Sequence, residues 1–240
     1  MTAGADQGVP AVTETLREEV LAANLELPAH GLVTLTWGNV SAIDRERGLV
    51  AIKPSGVSYE QMSADDIVVV DLDGQVVASE RRPSTDTATH LALYRAFDAI
   101  GGVVHTHSTW ATAWAQAGRE IPLLGTTHAD LSAHPVPVTR QLAAEEVDQG
   151  YEEATGRVLI EAVGSRGPEQ VPCVLARGHA PFCWGTSAHK AVEHAVTVEE
   201  VARIALLTTL IDAAAPVLAE HVRDKHFERK HGPGAYYGQA

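Results

Sequence analysis

The sequence predicts one α/β domain with a central, mostly antiparallel sheet flanked by helices in three layers. Three observations carry that expectation. Between residues 31 and 78, short β-type runs are joined by turns rather than by helices. After Pro83, helical and strand patterns alternate. No internal repeat and no Pro/Gly/Ser-rich linker divides the 240 residues, a length that suits one or two domains.

The elements follow in order. Residues 1–12 read as a loose N-terminal extension, and residues 13–240 as the single domain with its C-terminal tail. Thr15-Leu-Arg-Glu18 has the pattern of a capping box. Leu16, Val20, Ala23 and Leu27 then recur at helical spacing until Pro28. Strands are expected at Leu32–Thr36, Val40–Ile43, Leu49–Ile52, Ile67–Leu72 and Gln75–Ala78, the last two joined by the hairpin signal Asp73-Gly74. A helix over Thr87–Phe97, a strand over Val103–His107 and a helix over Thr109–Ala117 come next. Gly178–Gly185 reads as a loop, Ser187–Asp212 as a long helix, and a short helix precedes the tail from His231 to Ala240.

Composition excludes several classes of function. With 18 Lys and Arg against 31 Asp and Glu, the formal charge is −13, which opposes nonspecific nucleic-acid binding. A local pocket can still hold a small anion against that net sign. Hydrophobic residues at 45% supply a full globular core. No stretch reaches the roughly 20 apolar residues of a membrane span, and Met1–Pro10 lacks the pattern of a signal peptide. Two cysteines cannot build a disulfide framework, which points to a cytoplasmic setting.

The twelve histidines are the chemically unusual feature. His105 and His107 sit two apart on an expected strand, where both imidazoles share one face and can reach one ion. His179 lies in a separate loop and offers a third nitrogen. Three neutral imidazoles with an open position suit a catalytic zinc ion or a similar divalent ion. An HxH pair alone is also compatible with histidines satisfied by ordinary hydrogen bonds. Asp86 stands where it can cap the helix at Thr87 or face the same ion.

Three turns have the composition of an anion pocket. Gly38-Asn39, Lys53-Pro54-Ser55-Gly56 and Ser84-Thr85 fall at strand ends or a helix start. They offer an amide, hydroxyls, backbone N–H groups and one ammonium, which together complement a phosphate. Ordinary turn chemistry uses the same residue types, so the argument rests on their number in one chain.

In combination these segments resemble the class II aldolase/epimerase family. The residues concerned are Thr36-Trp-Gly-Asn-Val-Ser41, Lys53-Pro-Ser-Gly56, Ser84-Thr-Asp86, His105-Thr-His107 and Gly178-His-Ala-Pro-Phe182. Thr126-Thr-His-Ala-Asp130 and the tail Lys230–Gln239 are similar to its epimerase branch. The resemblance runs from about Thr15 to Gln239. It implies a homotetramer with active sites at subunit interfaces, acting on a small phosphorylated sugar. It also implies a divalent ion, Zn2+ or another such as Mn2+, held by His105, His107, His179 and Asp86. Asn39, Lys53, Ser55, Gly56, Ser84 and Thr85 then fall where the family binds phosphate. Asp130 matches its general base, Tyr237 an acid from the neighbouring subunit, and His226 a residue that reaches over with it. Ala180 stands where glycine is usual, which strains the loop if that position needs a positive φ.

The implied reaction inverts C4 of a ketopentose 5-phosphate. The C4 hydrogen is not adjacent to the carbonyl and is not acidic, so cleavage and re-formation of the C3–C4 bond replace simple deprotonation. Two acid–base groups on opposite faces are what an epimerase needs and an aldolase does not. The alternatives are a sugar 1-phosphate aldolase on the same scaffold and a non-catalytic metal-binding protein of the same fold.

Overall fold

A computed structural model describes residues 8–236. Tyr237 and the first seven residues of the expected N-terminal extension lie outside the described residues. Helix α1 (Gly8–Ala29) starts ahead of the Thr15 capping pattern and carries Pro28 in its last turn. Its apolar residues Leu16, Val20, Ala23 and Leu27 are all buried, as their spacing requires.

Strands β1 (Asn39–Asp44), β2 (Leu49–Ile52), β3 (Val68–Asp71) and β4 (Val76–Ala78) form a meander. After α2 (Thr87–Ala96), β5 (Gly102–His105) inserts beside β1. Helices α3 (Thr109–Ala117), α4 (Thr126–Ala129) and α5 (Ala144–Val163) follow. Then come β6 (Cys173–Leu175), β7 (Pro181–Gly185), α6 (Ala188–Ile211) and α7 (Glu220–His231). The seven-stranded sheet has the order β4-β3-β2-β1-β5-β7-β6, and every pairing between its strands is antiparallel.

The period-2 geometry of the strands divides the core in two. Val40, Ala42, Leu49, Ala51, Val69 and Val104 face one cluster, which α1, α3 and α6 complete. Val50, Ile52, Val68, Val70, Val103, Phe182 and Trp184 face the other, completed by α2 and α5. Helices on both faces explain why the four residues of β2 and of β5 are all buried rather than alternately exposed.

Three expectations need correction. Leu32–Thr36 is a loop: Leu32 is buried in the core, but Leu35 has a left-handed φ of 55° and Gly38 one of 82°. Gly38 also lets this loop cross the end of β5, since a Cβ there would meet the His105 carbonyl oxygen at 3.0 Å. The second half of Gly178–Gly185 is strand β7, paired with both β5 and β6. Finally, β5 ends at His105, so His107 lies in the loop before α3. Helices α4 and α5 and strand β6 lie between residues 118 and 177, where no element is expected from the sequence pattern.

Candidate metal and phosphate site

The antiparallel topology gathers the site at one end of the sheet. Asn39 opens β1, and its Cα partner is His105, the last residue of β5. His105 is in turn paired with Phe182 in β7, directly after the His179 loop. Lys53 follows the last residue of β2, which pairs with Ser41 of β1. One cavity of about 540 Å³ therefore collects all ten expected ligand and phosphate residues. These are Asn39, Lys53, Ser55, Gly56, Ser84, Thr85, Asp86, His105, His107 and His179.

The three histidines converge although His107 is outside the strand. Their ring nitrogens offer one ligand atom each, all within 4.8 Å of one another. His107 Nε2 and His179 Nε2 are 3.2 Å apart. Two ligands of one tetrahedral ion with bonds near 2.0 Å stand about 3.4 Å apart, so a divalent ion fits between them. The His105 ring stacks on Phe182 with centroids 4.1 Å apart, and its Nδ1 lies 3.1 Å from the Pro181 carbonyl. A carbonyl only accepts, so Nδ1 carries the proton and Nε2 keeps its lone pair for a metal. Burial pushes His105 down to about 3 and also lowers His107 and His179, so all three imidazoles are neutral at pH 7, the form that binds metal. One end of the sheet thus carries a histidine triad suited to a metal ion.

Asp86 occupies the N-cap position of α2, yet its side chain makes no capping hydrogen bond. Its Oδ2 instead accepts from Asn39 Nδ2 at 2.7 Å. Burial raises the Asp86 carboxyl, but attraction to His105 and His90 and the Asn39 hydrogen bond outweigh it and hold it below the usual range. Asn39 Nδ2 also donates to Ser84 Oγ at 3.0 Å, which ties the start of β1 to the start of α2.

Two backbone hydrogen bonds join the segment 53–55 to the segment 82–84. Ser55 N–H donates to the Arg82 carbonyl and Ser84 N–H to the Lys53 carbonyl, both at 3.0 Å. Lys53 lies beneath them with only 2% of its surface exposed. Its ammonium donates to the carbonyls of Val57, Thr36 and Pro54 at 2.8, 3.3 and 3.4 Å and sits 4.8 Å above the Tyr59 ring. Burial lowers its pKa to about 8. Among the described residues no carboxylate forms an ion pair with it. A desolvated cation with neutral partners, on a cavity wall, favours an anionic ligand. Ala180 is not among the residues with positive φ; the left-handed position is Gly178 (φ 74°), so the expected strain is absent.

Asp130 and His226 are brought together elsewhere. Asp130 Oδ1 is 3.1 Å from His226 Nδ1, and Arg229 donates to both carboxylate oxygens. The contact joins α4 to α7 within one chain, and neither residue lines the cavity of the histidine triad. Tyr151 and Glu152 do line it and were not anticipated. The one visible sign was Gly150 within a helical run, which takes φ 144° and breaks the regular course of α5.

Fold and site together define a class. The chain belongs to the class II aldolase and adducin family, whose N-terminal domain model matches residues 18–206. It is 58% identical over 226 residues to the L-ribulose-5-phosphate 4-epimerase UlaF of Salmonella paratyphi B, covering 94% of this chain and 99% of that protein. The same protein of Salmonella typhi is 58% identical over the same coverage. Among solved structures, an L-fuculose 1-phosphate aldolase superposes with a TM-score of 0.75 at 26% identity, over 90% of this chain and 95% of that one. The L-fuculose 1-phosphate aldolase of Glaciozyma antarctica PI12 superposes with a TM-score of 0.74 at 18% identity, over 95% and 86%, and shows the shared fold.

Proposed function

We propose that this chain is a metal-dependent epimerase that interconverts L-ribulose 5-phosphate and D-xylulose 5-phosphate. The observation that carries this reading is the meeting, in one cavity, of three neutral imidazoles and an unpaired buried ammonium set among hydroxyl-bearing loops. A sugar phosphate presents matching groups, with oxygens for a metal at one end and a dianion at the other. The 58% identity to the two epimerases above favours that reaction over aldol cleavage.

In this reading His105, His107 and His179 hold the ion, zinc or manganese, with Asp86 as a fourth ligand or close neighbour. The bound ion supplies Lewis-acid stabilisation of the negative charge that develops on the carbonyl side of the breaking C3–C4 bond. Lys53, Asn39, Ser55, Gly56, Ser84 and Thr85 anchor the phosphate. That anchor retains the glycolaldehyde phosphate fragment while its aldehyde end turns to expose the other face. Asp130 takes the proton of the C4 hydroxyl as the C–C bond breaks, and Tyr237 protonates the oxygen formed on re-addition from the opposite side. His226 supports the same acid–base set.

We place Asp130, His226 and Tyr237 at the cavity of a neighbouring copy in a homotetramer. Support comes from the α4–α7 contact: Asp130 and His226 touch each other in one chain, away from that chain's own cavity. They therefore travel together, and Tyr237 follows shortly after α7. Both cysteines are free and buried, in keeping with a reducing cytoplasm, and among the described residues no helix is long and apolar enough to cross a membrane.

The test offers metal-loaded protein two substrates. L-ribulose 5-phosphate is expected to give D-xylulose 5-phosphate with the better kcat/KM. Release of dihydroxyacetone phosphate from L-fuculose 1-phosphate at a much higher kcat/KM would replace the epimerase by the aldolase reading. No turnover of either by protein with bound metal would favour a non-catalytic role.

A further inference from the structure

Helix α5 brings to the cavity a side chain that the proposed reaction leaves without a task. Tyr151 follows Gly150, whose φ of 144° turns the helix at this point. The segment is fixed from its backbone: Thr155 Oγ1 donates to the Tyr151 carbonyl at 2.8 Å, and Thr89 Oγ1 of α2 to the Glu152 carbonyl at 2.6 Å. Tyr151 is 38% exposed, so hydrophobic burial does not account for its position. Its hydroxyl oxygen lies 3.2 Å from His179 Nδ1.

We infer that Tyr151 is a positioning residue for His179: its hydroxyl oxygen accepts the Nδ1 proton and fixes the imidazole with Nε2 bare towards the metal. This rests on the reading of the triad as a metal site. The geometry divides the two nitrogens of His179 by role. Nε2 points into the triad, 3.2 Å from His107 Nε2, and only a bare nitrogen on that side can bind an ion. The proton must then sit on Nδ1 and needs an acceptor.

For His105 that acceptor is a backbone carbonyl at the start of β7, supplied by the sheet itself. His179 stands earlier in the same turn, after the left-handed Gly178, with its own N–H turned back to the Ala176 carbonyl. The sheet therefore does not orient this ring as it orients His105, and a side chain from α5 takes over. A phenolic oxygen can accept as well as donate, so the pair settles on Nδ1–H as the donor when Nε2 is committed to the ion.

The test is Tyr151→Phe, which keeps the ring and removes only the oxygen. Zinc affinity is read by competition with a chromogenic chelator. Partners of this kind are worth roughly tenfold or more in metal affinity, so a loss of about tenfold is expected. In zinc-loaded protein carrying 15N-histidine, the Hδ1 proton of His179 is expected to exchange slowly in the parent and fast in the variant. The metal-free variant is expected to melt at the same temperature as the metal-free parent.

His107→Ala serves as the reference. If His107→Ala loses zinc while Tyr151→Phe binds it with the parent affinity and the same slow Hδ1 exchange, the role of Tyr151 is overturned and the metal site stands. If His107→Ala binds zinc as the parent does, the triad is not the metal site, and both readings fall.

Discussion

Arg229 grips Asp130 with two hydrogen bonds, from Nε to Oδ1 at 3.0 Å and from Nη2 to Oδ2 at 2.6 Å. His226 Nδ1 adds a contact to Oδ1 at 3.1 Å. Partial burial raises the Asp130 carboxyl, but the bonds from Arg229 and His226 outweigh it and hold the group below its ordinary range. A base must be ionised to act. With Arg229 replaced by methionine, the Asp130 pKa rises, and activity is lost at a higher pH as the solution is acidified. The acid limb of kcat/KM is expected to move to higher pH. A pH–rate profile between pH 4 and 8 measures this, and an unmoved limb would show that the arginine does not tune the catalytic base.

On the proposed assembly, the in-chain pairing of Asp130 with His226 decides which subunits can help one another. His107→Ala damages the cavity of its own chain, while Asp130→Asn damages the base lent to a neighbour. Each variant alone is expected to be inactive. When the two are unfolded together and reassembled, some cavities with intact histidines meet an intact Asp130. Random mixing around a closed ring restores about a quarter of the parent activity. If the mixture stays as inactive as its components, Asp130 serves its own chain.

Lys53 provides a sharper test of the phosphate pocket than any of the loop hydroxyls. Its charge is desolvated and held by carbonyl oxygens, so the incoming dianion is the counter-charge the pocket lacks. Lys53→Met keeps the length of the stem and removes the charge. KM is expected to rise at least about tenfold, the scale of one lost charge-assisted contact, with a smaller change in kcat. Inorganic phosphate is expected to raise the Tm of the parent but not of the variant. An equal Tm gain in both would remove Lys53 from the pocket.

The site was more legible in the sequence than the path of the chain between its parts. Asn39, Lys53, Asp86 and His105 sit at ends of regular elements, and those ends are marked by turn residues that also carry the chemistry. His105 and His107 do face one cavity, but not as neighbours on a strand, because β5 stops at His105 and the following loop turns His107 inward. Tyr151 escaped notice because its neighbours in sequence are acidic residues on an ordinary helical run, and only the broken dihedral at Gly150 aims it at the cavity. Strand β7 was hidden by Pro181 and Gly185 at its two ends, which read as turn residues when the neighbouring strands are not known.

Several histidines outside the triad have a measurable consequence for stability. Burial pushes His128 and His194 down to about 4, even though His128 Nε2 lies 3.0 Å from the His134 carbonyl and His194 Nδ1 donates to the Trp184 carbonyl at 2.7 Å. In the unfolded chain both titrate near 6.5. Between those values the unfolded state binds more protons than the folded one, so stability falls as pH falls; above about pH 6.5 these groups give no slope. Each contributes about 1.4 kcal/mol per pH unit through the window. In His194→Gln the amide nitrogen can still donate to Trp184 while the titration is gone. Urea unfolding at fixed protein concentration, at pH 6.5 and at pH 4.5, is expected to show the parent losing about 2 kcal/mol more than this variant. Carboxylates that protonate in the same range act equally on both proteins and cancel in the difference. An identical loss in parent and variant would mean that His194 takes up its proton in the folded state as readily as in the unfolded chain.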